Sequence, residues 1–250
     1  MQTPLSIEEV YCSLYENNED SLNLEKTRII YHSSNFFDNF DNQDIKTPLF
    51  LFYQVENKFE SYLPKWIDLY NTIEPTLNLF FSIMYGKYTH CESQFLFLAQ
   101  ALESLHRRTS NEKLLNEEEF SLLVSELKRV CPEKYSQWLE PKFFHGNEIS
   151  FRKRIQRTIE PFEDIIILRK QKNKLINLIL DTRNYLTHYD EVLKNKRANG
   201  KQLINVTQKV YLIIIVNILH LIGLSVEEID AIVESNWELK DIKDLPIVKE

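Results

Sequence analysis

Glycine is scarce in this chain, with 4 among 250 residues, and only 8 prolines accompany it. So little turn material argues against a many-stranded sheet with tight hairpins and against a glycine-rich phosphate loop, and helices are expected. The three cysteines, Cys12, Cys91 and Cys131, are odd in number, far apart and lack Cys-x-x-Cys spacing. That excludes a disulfide framework and a zinc site and fits a reducing, cytoplasmic setting; no metal or cofactor is called for. The start of the chain, Met1 to Leu14, mixes Gln2, Glu8, Glu9 and Tyr11 among its apolar residues and shows no secretion signal. Long hydrophobic runs are also missing. The most apolar stretch, Val210 to Leu224, is interrupted by Asn217 and His220 and falls short of the roughly twenty residues of a membrane span, so it is expected as a buried core helix.

What is present is apolar and aromatic. At 43% hydrophobic and 12% aromatic content, the chain can bury one large core, or one core plus an accessory region. Residues 1–55 differ from the rest. Asn17 to Asp20 and Asp38 to Asn42 are turn-like, and Thr27 to His32 is a plausible strand that needs a partner. This region is expected to be the remnant of a β domain or an arm on a helical body covering 56–250. In that body a first helix is expected from Glu56 to Asn71, with Phe59, Leu63, Trp66, Ile67 and Tyr70 on its apolar face and a kink or restart at Pro64. Pro75 opens Thr76 to Tyr85, and Gly86 closes it. The next helix runs from about His90 to Arg108 on Phe95, Leu98, Ala99, Leu102 and Leu105. Glu117 to Glu119 start another, whose stripe is Leu122, Leu123, Leu127 and Val130. Short helices are expected from Glu133 to Lys170. A strong helix from Gln171 follows, then Leu203 to Leu224 and Val226 to Glu234.

The formal charge is −7, but it is unevenly spread. Arg152 to Lys201 holds 13 Lys/Arg against 6 Asp/Glu, a local +7 that leaves −14 for the remainder. Such an island suits a phosphate backbone, and the alternative is a set of solvated helix faces. Arg152, Arg154, Arg169, Lys170, Lys194 and Arg197 are the candidate RNA-binding cations.

Within the island lies Arg183-Asn184-Tyr185-Leu186-Thr187-His188. A histidine titrates near neutral pH and can take or give a proton, while an arginine stays charged and offers forked donors to phosphate oxygens. Together they suit metal-free RNA cleavage. Spacing alone carries little, since such a pair arises roughly once by chance in a chain like this. Its position at the end of an amphipathic helix carries more. On an unbroken helix, residues 183 and 188 point about 140° apart, whereas Asn184 and His188 share a face. Either the helix breaks near Thr187, or two copies meet across a two-fold axis and share one cleft; the second arrangement is preferred. Elsewhere, His106 and Arg107 are expected to be solvated, His220 to be a satisfied core histidine, and Tyr185 and Tyr189 to pack rather than stack on bases.

The Arg183 to His188 segment resembles the R-x(4-6)-H signature of HEPN ribonucleases, including a polar residue, here Asn184, after the arginine. Phe95 to Arg108, with Glu103 after an apolar run, resembles the long helix of the Apea-like HEPN group. Pro48-Leu49-Phe50 leading to Lys65-Trp66 is similar to the junction of that group's β domain with HEPN. The likeness covers roughly 50–235. It implies an all-α HEPN-type helical bundle, a symmetric homodimer, and metal-independent RNA cleavage to a cyclic phosphate and a 5'-hydroxyl. Arg183 and His188 would be catalytic, with Asn184 and Glu103 supporting. It further implies tRNA or mRNA as substrate, anti-phage abortive infection or toxin-antitoxin conflict as setting, and an antitoxin or sensor protein as further partner.

Overall fold

The computed structural model describes residues 10–12, 27–29, 49–50, 52–85, 90–167 and 169–247, with backbone alone at 10–12, 27–29, 52, 84, 85 and 169. The chain divides into two units, 1–49 and 50–250. In the first, β1 (Val10–Cys12) pairs antiparallel with β2 (Thr27–Ile29), Tyr11 opposite Arg28. The strand expected at Thr27 thus has its partner. The turn-like clusters at 17–20 and 38–42, and Gly86, lie outside the described residues.

The second unit is helical. After two 3-10 turns come α1 (Phe59–Tyr85), α2 (Cys91–Thr109), α3 (Glu117–Val130), α4 (Glu133–Phe143), α5 (Phe151–Ile159) and the short α6 (Glu163–Ile166). Then follow α7 (Lys172–His188), α8 (Gly200–Leu221), α9 (Val226–Ser235) and α10 (Trp237–Asp244). The expected all-α bundle is what forms; α10 was not foreseen.

Helix α8 is its axis. Val206, Val210, Leu212, Ile213, Ile214 and Val216 are all 0% exposed, and the polar Gln202, Asn205, Thr207 and Lys209 are buried with them, so most of the helix lies inside the fold. Although it is long and apolar enough to cross a membrane, 72% of its most apolar window is buried inside the fold. Helices α2, α5, α6, α7, α9 and α10 pack around it, and α1 packs on α2. Phe80 of α1 also stacks on Tyr211, with ring centroids 5.2 Å apart. The chain leaves α8 through Gly223 at φ 108, a left-handed turn that a side chain would strain.

The kink in α1 falls at Ile73 (φ −109, ψ 19), two residues before Pro75, whose ring disfavours a regular helix just upstream; Pro64 is accommodated without such a break. The buried face of α1 differs from expectation. Tyr62, Leu69, Ile73, Leu77 and Phe80 are buried, while Phe59, Leu63, Ile67 and Tyr70 are exposed. This helix is apolar on more than one side, so periodicity could not choose which side meets α2. A second correction concerns α3, whose helix is as expected and is capped by Asn116 accepting from the Glu119 amide at 2.8 Å. Its stripe of Leu122, Leu123, Leu127 and Val130 is exposed, and neither α3 nor α4 buries a residue.

Candidate active site

Helix α7 presents two faces. Leu175, Ile176, Ile179, Thr182 and Leu186 recur every three or four residues and are buried. The face away from them carries Lys174, Asn177, Asp181, Asn184 and His188, at the same spacing, and reaches solvent. The helix runs unbroken to His188 and stops because Tyr189 adopts a left-handed conformation (φ 51, ψ 38). Thr187 Oγ1 donates to the Arg183 carbonyl at 2.7 Å inside this last turn. A break near Thr187 is therefore ruled out, and Arg183 and His188 diverge by about 140° around one helix.

Arg183 points inward. One guanidinium nitrogen lies 3.6 Å from Glu103 Oε2 on α2, another donates to Asn184 Oδ1 at 3.2 Å, and the group sits 5.7 Å from the Phe151 ring centroid at the start of α5. It is half-buried and fixed from three sides. His188 is exposed and has no hydrogen-bond or ion-pair partner among the described residues.

Behind Arg183 lies a network of ion pairs. Glu103 is one helical turn before Arg107, which donates to Glu103 Oε1 at 3.1 Å and also pairs with Glu148. Glu148 contacts His145 Nδ1 at 2.8 Å and a nitrogen of Arg154 at 3.4 Å. The His145 hydrogen bond, followed by that of Arg107, holds the Glu148 carboxyl down at about 2. Arg154 and His106 are buried at 4% and 7% exposure and meet at 3.2 Å. Burial first, and the Arg154 charge second, lowers the His106 pKa, so its ring is neutral there and accepts from the guanidinium. The Arg154 Nε is buried without a hydrogen-bond partner among the described residues. Sequence reasoning missed Arg107, Glu148, His145 and Phe151. Only the Glu103–Arg107 spacing was readable, because Glu148 is 41 residues from Arg107.

The candidate RNA-binding cations are dispersed. Arg154 is a correction, since its burial inside the network withholds it from any solvent-borne phosphate. Arg152 is exposed and donates to Asn177 Oδ1 at 2.7 Å on the outer face of α7. Arg197 pairs with Glu92 at 2.8 Å and lies 4.5 Å over the Tyr185 ring. Lys194 is exposed and pairs with Glu191, and Lys170 is exposed without an ion pair among the described residues. The side chain of Arg169 lies outside the described residues. Further along the island, Arg157 grips Glu112 with two bonds of 2.9 Å and Lys172 pairs with Glu163 at 2.8 Å. The +7 of the segment is thus offset in space by Glu92, Glu103, Glu112 and Glu148, all outside it in sequence. His106 was expected in solvent and is buried. His220 was expected in the core and is exposed, with Nδ1 bonded to the Leu224 carbonyl at 3.1 Å.

Residues 96–228, just over half the chain, match the family model described as Apea-like HEPN. The matched stretch includes Glu103 and the whole Arg183 to His188 segment, and it stops short of the Pro48 to Trp66 junction. No curated protein and no solved structure matches the chain.

Proposed function

The chain belongs to the Apea-like HEPN family, and from that premise we propose that it is a metal-independent endoribonuclease whose site is completed by two copies of the chain. The observation that carries this reading is the contrast between Arg183, held by Glu103, Asn184 and Phe151, and His188, exposed and without a partner among the described residues on the far side of the same unbroken helix. A fixed cation and a free histidine are the two components the chemistry needs. One chain points them apart, so a two-fold axis beside the outer face of α7 is what brings them to one phosphate.

In such a cleft the two copies supply two histidines. One His188, neutral, takes the proton of the ribose 2'-hydroxyl as its oxygen attacks phosphorus. The other, protonated, gives its proton to the departing 5' oxygen. The P–O5' bond breaks, and a 2',3'-cyclic phosphate and a 5'-hydroxyl remain. Arg183 stabilises the charge that gathers on the non-bridging oxygens, and Glu103 keeps its fork aligned. In-line attack needs an unstacked, freely rotating nucleotide, which favours single-stranded or looped RNA, tRNA or mRNA, over duplex. Arg152, Lys170 and Lys174 suit the flanking phosphates. Damage to cellular RNA fits a role in abortive infection or toxin-antitoxin defence in the cytoplasm, with an antitoxin or sensor protein holding the activity in check.

The competing reading is a non-catalytic module that binds RNA or a nucleotide, or serves only for dimerisation; the neutralisation of most of the basic island by glutamates favours it. The two separate on one comparison. Incubated with RNA in EDTA, the wild type is expected to cleave and His188→Ala to lose about 10²–10⁴-fold in rate. An equally active variant sinks the proposal, and RNA binding without cleavage by the wild type establishes the alternative.

A further inference from the structure

Two arginines address the carboxylate of Glu103 at once. Arg107, one turn further along α2, points its Nε and Nη2 at Oε1, at 3.1 and 3.0 Å. Arg183 of α7 stands off from Oε2 at 3.6 Å. An arginine and a carboxylate left to themselves close into a forked pair with contacts of about 2.7–2.9 Å, so the longer contact is one that something holds open. The mooring of Arg107 holds it. Its other end pairs with Glu148, which is itself fixed: its backbone bridges to Lys113, and its carboxylate also meets His145 at 2.8 Å and buried Arg154 at 3.4 Å. Arg107 therefore stays in place and keeps Glu103 on its side. Arg183 donates to Asn184 Oδ1 at 3.2 Å, and no other side chain among the described residues accepts a hydrogen bond from its guanidinium.

We propose that Arg107 is a positioning residue for the candidate site: by holding Glu103 it keeps that carboxylate from closing on Arg183, and so leaves the Arg183 guanidinium open to a phosphate oxygen. The inference rests on the preceding reading that Arg183 meets a phosphate. Electrostatics decides its sign. A carboxylate forked onto Arg183 would occupy the donors that face a non-bridging oxygen and set a full negative charge beside the incoming phosphate. Held back at 3.6 Å, with its charge shared by Arg107, Glu103 orients the guanidinium and repels the phosphate less. The spacing creates the competition. Residues 103 and 107 are neighbours on one face of α2, so Arg107 engages one carboxylate oxygen and leaves the other to Arg183. The other reading is an ordinary structural ion pair between Glu103 and Arg107. It predicts that losing either partner only loosens the site and that losing both is no better.

Arginine-selective modification of the full chain with phenylglyoxal, read at Arg183 by peptide mass, tests this without relying on catalysis. The Arg183 side chain is 36% exposed and is expected to react in the wild type. Arg107→Gln is expected to slow that reaction about tenfold, because Glu103 then covers the guanidinium. In a Glu103→Gln background the same substitution is expected to change the rate by less than about twofold, since the competing charge is gone. Cleavage of a single-stranded oligoribonucleotide in EDTA is expected to follow the same pattern, with kcat about 10–100-fold lower in Arg107→Gln, KM little changed, and no such loss when Glu103 is already Gln. Arg107→Lys, which keeps the charge, is expected to fall between and serves if Arg107→Gln folds poorly. Arg183 reactivity that Arg107→Gln leaves unchanged, or a double variant that is slowed as much as Arg107→Gln, overturns the proposal. A wild type that cuts no RNA while the modification pattern holds upholds the role of Arg107 and sinks the ribonuclease reading alone.

Discussion

Helices α2 and α3 follow one another in the chain, both are amphipathic, and both show apolar residues at helical spacing, yet they end in opposite environments. Phe95, Leu98, Ala99, Leu102 and Leu105 of α2 are at most 2% exposed, pressed between α1, α8, α5 and α7. The equivalent stripe of α3 meets solvent. Periodicity states which side of a helix wants cover. It does not state whether the rest of the chain provides the cover, which it does for α2 and does not for α3. Polar faces differ in the same way. The outer residues of α2, Glu103 and Arg107, enter an ion-pair network, whereas Glu117 to Glu119 of α3 make no ion pairs among the described residues.

Substitution can break or sharpen this contrast. The largest effect is expected for Phe95→Ala, which empties a fully enclosed position and costs about 3–5 kcal/mol in denaturant unfolding. A loss below 1 kcal/mol would mean that α2 is not the covered helix. Next is Glu148→Gln, which strips the carboxylate from Arg107 and from buried Arg154 and costs about 1–3 kcal/mol at neutral pH. Its pH signature is sharper still. The folded carboxyl ionises near 2 and the ordinary one near 4.5, so the stability it contributes is fully present above 4.5 and is lost as pH falls towards 2. The variant is expected to show a flatter acid limb over that interval, and an unchanged limb would remove Glu148 from the network. The smallest effect is expected for Leu122→Ala, within about 0.5 kcal/mol at concentrations where the chain is monomeric. A cost comparable to that of Phe95→Ala would erase the distinction between the helices.

The helices and the basic island were legible in advance because they depend on neighbours in sequence. Asn116 caps α3 as its place before three glutamates suggests, and Pro75 lies just after the break in α1. Burial was legible for α2, whose apolar residues fall on one side, and for the long apolar run of α8, but not for α1 or α3. On α1 the choice between Phe59–Leu63–Ile67 and Tyr62–Leu69–Ile73 depends on where α2 lies, which no local pattern encodes. The site divides along the same line. Arg183, Asn184, His188 and Glu103 were named from motif and family likeness, while Arg107 and Glu148 escaped, because the pairing that gives them a role joins residues from distant helices. The expectation that Arg154 reaches solvent failed for that reason too. A cation in a basic segment reads as a surface residue until a glutamate and a histidine from elsewhere enclose it.

By itself, then, the sequence determined that the body of this chain is an all-α bundle with a histidine and an arginine about 140° apart on one helix, since backbone propensity, capping and helical geometry are local. The tertiary structure alone decided that Arg183 is held and His188 left free, that most of a +7 segment is neutralised, and that one amphipathic helix stays uncovered. Those outcomes follow from packing and ion pairing between residues far apart in the chain, and the distances that govern both exist only once the helices have docked.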